Sequence, residues 1–168
     1  MATTYTLINK ATVGSGGAGS VEFTSIPSTY TDLKLVCSIR GTTGNVDTAL
    51  ILNGNTSNYT WIQIYGYGSG VGNSSGSSTA SSGPLIGAST YTANTFGNGE
   101  IYFPNYAGSN YKSYSIDSVI ETNATVTYMG LKANLWSNTS AITSIKLQPD
   151  SGSFVEYSSF YLYGIKNS

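Results

Sequence analysis

"DLKLVCSIR", residues 32–40, alternates apolar and polar side chains. Leu33, Leu35, Cys37 and Ile39 fall on one side, and Lys34, Ser38 and Arg40 on the other. A period of two is the spacing of a β-strand that rests one face on a core and turns the other to solvent. Working outward, "TYMGLKANLW" (127–136) gathers Met129, Leu131, Ala133 and Leu135 on one face, and "EIYFP" (100–104) does the same with Ile101 and Phe103. Each is expected to be half-buried, with its apolar face on the core. Further strands are expected at 5–13, 21–26, 49–53, 59–67, 111–121, 142–147 and 154–165. "GSGGAGS", "NGN", "FGNGE", "NYAGSN" and "QPDSGS" supply turns between them. No stretch carries a helical period with caps. About eight to ten short strands with glycine turns and no internal repeat predict an all-β fold, a two-sheet antiparallel sandwich of the jelly-roll type.

Composition agrees. Charged residues make up 9% of the 168, against about 25% in an ordinary soluble domain, while aromatics reach 12%, with 14 tyrosines and 20 glycines. A chain so rich in aromatics can build a core, and its length suits one domain over residues 1–168. The stretch 66–84, "GYGSGVGNSSGSSTASSGP", lacks bulk and periodicity and is expected to be a Gly/Ser-rich surface loop.

The net charge is −1 and the seven cations, Lys10, Lys34, Arg40, Lys112, Lys132, Lys146 and Lys166, are scattered singly. Nucleic acid is therefore not an expected partner, because phosphate binding needs cations gathered on one surface. No apolar run approaches the length of a membrane span, and the start carries no basic segment followed by an apolar one, so neither membrane insertion nor a signal peptide is expected.

Little reactive chemistry is available. The chain has no histidine, which removes the usual base of a serine or cysteine nucleophile, and its single cysteine, Cys37, reads as a small core hydrophobe. No zinc-binding spacing, phosphate loop or EF-hand pattern occurs, so no metal or cofactor is expected. Of the eight acids, Asp117 and Glu121 share a strand face, but four residues of strand separate them by about 13 Å. A glycosidase pair stands roughly 5–9.5 Å apart. The expectation is a protein that is not an enzyme.

The tyrosines suit contact. In "SFVEYSSFYLYGIK" (153–166) Tyr157, Tyr161 and Tyr163 share a side with Val155 and Ile165, while Phe154, Phe160 and Leu162 take the other. A strand apolar on both faces needs a second cover, and tyrosine buries area while keeping a hydrogen bond. These three are candidate oligomer contacts, with Tyr102 and Tyr106 as weaker candidates. Trp61, Tyr65 and Tyr67 in "YTWIQIYGYG" are candidate glycan-binding residues, because sugars stack on exposed aromatic rings.

Several long segments, in order, carry a resemblance: "SVEFTSIPSTYTDLKLV", "NGNTSNYTWIQIYG", "TANTFGNGEIYFPNYAGSNYKSYSID", "LWSNTSAITSIKL" and "SSFYLYGIKNS". Together they resemble a module of tailed-phage virion structural proteins, of the kind found in phages of marine bacteria including cyanophages. The resemblance implies a virion location on the particle exterior, after assembly in the host cytoplasm. It implies a capsid decoration or knob subunit, with a tail-fibre receptor-binding or carbohydrate-binding module as the alternative. The partners implied are copies of itself, a trimer if it stands on threefold positions, and virion proteins such as the major capsid protein. For the alternative, the partner is a host surface glycan.

Overall fold

The computed structural model describes residues 4–44, 46–123 and 126–166. Among the described residues twelve strands follow one another: β1 (Tyr5–Thr12), β2 (Val21–Phe23), β3 (Asp32–Ile39), β4 (Thr48–Leu52), β5 (Tyr59–Tyr67), β6 (Gly70–Ser78), β7 (Ser81–Ser82), β8 (Gly97–Phe103), β9 (Lys112–Ile120), β10 (Tyr128–Trp136), β11 (Ile145–Pro149) and β12 (Ser159–Ile165). They form an eight-stranded sheet in the order β1-β12-β3-β8-β9-β10-β5-β6 and a four-stranded sheet in the order β2-β11-β4-β7. All pairings between these strands are antiparallel.

Setting β5, β6, β9 and β10 aside leaves two four-stranded sheets, β1-β12-β3-β8 and β2-β11-β4-β7, between which the chain crosses at every step except β4 to β7. That nesting of first strand beside last and second beside next-to-last is a jelly roll. Two hairpins are added to it. β5–β6 is inserted between β4 and β7, and β9–β10 between β8 and β11. Both lengthen the large sheet beyond β8.

The jelly-roll core follows from the alternation in residues 32–40. Leu33, Leu35, Cys37 and Ile39 of β3 face Leu50 and Leu52 of β4 and Ile145 and Leu147 of β11, all at most 2% exposed. Ile101, Phe103, Phe160 and Leu162 fill the same layer. Each such side chain contributes about 1.5–3 kcal/mol by leaving water. Burial also makes Cys37 inert: the thiol is pushed up to about 12.

Two long connections are held by buried cations. The Arg40 guanidinium donates to the carbonyls of Thr92 and Thr95, both at 2.8 Å, and of Tyr91 at 2.9 Å, which fastens the segment after β7 to the body. Lys112 Nζ donates to Gly108 O at 2.6 Å and also to Asn110 O, closing the turn between β8 and β9. Burial lowers the Lys112 pKa.

Three expectations change. The segment 66–84 is not a loop: residues 70–78 pair one-to-one with β5 as β6. The last strand begins at Ser159, not 154. Phe154 instead bridges Ala18 and Gly41, and Tyr157 reverses the chain with a φ of 70°. On β10 the apolar face is the outer one: Met129 and Leu131 are 40% and 45% exposed, while Lys132, Asn134 and Trp136 are buried. Trp136 stacks on Tyr59 at 6.2 Å, and burying that bulk outweighs burying the aliphatic face.

Candidate functional site

The four added strands form a platform whose faces differ in chemistry. Pairing is in continuous register, so residues can be followed across it. Asp117 of β9 lies beside Leu131 of β10, which lies beside Ile64 of β5, which lies beside Asn73 of β6. One row along, Ser115, Ala133, Ile62 and Ser75 are neighbours, and one row the other way are Val119, Met129, Gly66 and Val71. This is the outer face. Ile62, Ile64, Met129, Leu131 and Val119 expose between 36% and 57% of their surface there, and Val71 exposes 91%. The sequence reading missed this cluster. Its signal was the alternation in 127–136 and 59–67, which gives the period of the strand but not which side the second sheet covers.

The inner face turns polar as it runs out from under the small sheet. Ile116 of β9 is followed by Lys132 of β10, Gln63 of β5 and Ser74 of β6. Lys132 is 1% exposed, and its Nζ donates to Ser82 Oγ at 2.6 Å and to Gly83 O at 2.7 Å. Burial lowers its pKa, and Asp47 and Asp150 pull it back up. Asp150 is itself raised, first by burial and then by Asp47.

Two glycines of β6 explain why the stretch lacks bulk. A Cβ at Gly72 would lie 2.5 Å from Cζ of Tyr65, and one at Gly76 would lie 3.1 Å from Cζ2 and 3.2 Å from Cε2 of Trp61. The rings of β5 thus lie across β6: a side chain at Gly72 would have to displace the Tyr65 phenol, and one at Gly76 would press on the Trp61 indole. Gly68, with a φ of 58°, turns the hairpin. Between this inner face and the small sheet lies a cleft of about 580 Å³, lined by Trp61 and Gln63 on one side and by Asp47, Ile51, Gln148 and Asp150 on the other.

The residues singled out from sequence separate into three groups. Tyr161 and Tyr163 are half-buried on the outer face of β12, opposite Val36 and Lys34. Tyr102 joins them across Lys34, 38% exposed, with its hydroxyl donating to Asp32 Oδ2 at 2.6 Å. That bond pushes the Tyr102 phenol up to about 12, with burial adding to it. Tyr157 is 70% exposed but lies in the turn before the strand. Tyr106 is corrected: it is 0% exposed in the core, with its hydroxyl on Pro27 O, so it cannot reach a partner. Trp61 and Tyr65 are brought to the inner face of the platform, and Tyr65 and Tyr67 both pack edge-on against Tyr128.

Carboxylates meet where the sequence did not point. Glu100 and Asp117 are direct neighbours across β8 and β9, on the open outer face, and Glu100 pairs with Lys34 at 2.7 Å. Both carboxylates are exposed, and among the described residues no group of three or more acids and cysteines could hold a metal ion.

No protein-family model matches the chain. No curated protein matches it either. Among solved structures, an exo-inulinase from Aspergillus awamori is similar over 96% of this chain, at 15% identity and a TM-score of 0.49. The chain spans 29% of that structure's length, and a likeness at this level carries no argument about what the protein does.

Proposed function

We propose that this chain is a non-enzymatic structural subunit of a tailed-phage particle, a decoration or knob protein that self-associates and docks on the particle exterior. The observation that supports it is the outer face of the platform, where Ile62, Ile64, Met129, Leu131 and Val119 form one exposed aliphatic cluster. Contiguous apolar surface of this kind marks a protein contact, since leaving it in water forfeits about 25 cal/mol per Å². Tyr161, Tyr163 and Tyr102 continue the same face over the jelly roll. The resemblance to phage virion modules gives the contact its setting.

The test is to label the protein on purified particles by electron microscopy and to follow incorporation of the double variant Ile64→Thr/Leu131→Thr. Label on the particle, lost in the variant while its fold is retained, is the expected result. Unlabelled particles would sink the reading.

A second reading, a glycan-binding module, draws on the cleft. Trp61 lies flat on Gly76 beside Gln63, and Gln148 and Asp150 face it, so an aromatic platform and hydrogen-bonding groups share one concave site. It expects binding of host surface polysaccharide that Trp61→Ala weakens at least tenfold, about 1.4 kcal/mol. A glycan array without hits removes it.

A further inference from the structure

The four sheet edges are not alike. β1 carries Lys10 and is broken by a register shift between Leu7 and Asn9. β2 is three residues long and includes Glu22, and β7 is two residues long. Short strands, bulges and lysines are the devices by which proteins keep sheet edges from pairing with other chains. β6 has none of them. It runs nine residues from Gly70 to Ser78, holds no charge and no proline, and keeps unbroken register with β5. Among the described residues no strand pairs with its far side.

We infer that β6 pairs antiparallel with β6 of a second copy, so that the two large sheets join into one sixteen-stranded sheet across a two-fold axis. The inference rests on the self-association proposed above and gives it a geometry. Three observations select a second copy as the occupant. First, the centre of the strand, residues 72–76, is alike in both directions about Ser74: pairing there sets Gly72 opposite Gly76 of the second copy, and Asn73 opposite Ser75. Second, the aromatic rings reach to that edge. The Tyr65 phenol covers Gly72 and the Trp61 indole covers Gly76. Opposed residues of antiparallel strands stand about 5 Å apart, so each Tyr65 would meet the second copy's Trp61 across a pair of glycines. Third, among the described residues only one long edge is unguarded. A chain with one pairing edge makes a closed, isologous dimer; one with two makes a fibre. The join also sets the aliphatic faces of two copies on one sheet, with Asn73 and Ser75 between them at the axis, which doubles the apolar surface available for docking.

The test uses the whole chain. Light scattering and sedimentation over about 1 to 100 μM, which brackets a micromolar association, should show the mass rising to twice 17.6 kDa. Asn73→Lys/Ser75→Lys places exposed cations on the edge; it should stay monomeric with an unchanged circular dichroism spectrum. A wild-type chain that stays monomeric throughout, or a folded double-lysine variant that still dimerises, overturns the inference. If that variant does not fold, hydrogen exchange on the wild type decides. β6 amides should gain protection with concentration, and unchanged protection refutes the pairing. Particle incorporation is scored separately. A chain that dimerises through β6 but is absent from particles defeats the virion reading alone. One that enters particles without pairing through β6 defeats this inference alone.

Discussion

The jelly-roll half and the platform half of the large sheet are continuous in hydrogen bonding and opposite in design. From β1 to β8 the inner face is closed against the small sheet, and Leu33, Leu35, Ile101, Phe160 and Leu162 are all fully buried. From β9 to β6 the inner face buries Tyr59, Tyr114, Ile116 and Trp136 but also carries Lys132, Asn134 and Gln63, and further aliphatic side chains stand outside. The first half spends its apolar residues on holding itself together. The second buries Trp136, Tyr59, Tyr114 and Ile116 but leaves Ile62, Ile64, Met129 and Leu131 on the surface, where folding gains less from them, and that is the surface the proposed contact would use.

Four experiments test this contrast. The largest effect belongs to the jelly roll. Phe160 packs edge-on against Phe154 at 5.1 Å and is fully buried, so Phe160→Ala should cost about 3–5 kcal/mol in denaturant unfolding. A loss under about 1 kcal/mol would mean the closed half is not the stable one. Next comes the hinge of the platform argument. Gly72→Ala drives a methyl into the Tyr65 ring, and a cost of about 1–3 kcal/mol is expected from overpacking. Free tolerance of alanine would mean that the ring does not lie across β6.

Smaller again is the effect on stability of Ile64→Thr/Leu131→Thr. Both sites are about half exposed and threonine suits a strand, so unfolding should shift by no more than about 0.5 kcal/mol per site while particle incorporation falls. A large destabilisation would show that the aliphatic face belongs to the core. The smallest effect lies on the seam, at Tyr102. Its folded pKa of about 12 lies above the ordinary 10, so its bond to Asp32 contributes stability below pH 10 and loses it as pH rises through about 12. Stability curves of wild type and Tyr102→Phe should therefore converge over that window. Parallel curves would remove the bond as a contributor.

Much of the jelly roll was legible in the sequence because its strands obey one rule: Leu33, Leu35, Cys37 and Ile39 alternate and are buried together. The platform defeats that rule twice. In 127–136 the alternation was read correctly and the covered side was not, because the side depends on where Trp136 finds Tyr59. In 66–84 glycine and serine hid a strand, because its packing partners are the rings of Trp61 and Tyr65 on the neighbouring strand. Tyr106 likewise looked like surface tyrosine until the turn after β8 carried its hydroxyl to Pro27.

By itself, then, the sequence determined that this chain would be pleated sheet with sparse charge, no histidine and one inert thiol. Those properties reside in residue types and in a period of two, both local. Tertiary structure alone decided which side of each added strand meets protein and which meets water, and which of four edges was left open. Those are relations between strands far apart in the chain, and they are set by packing and register.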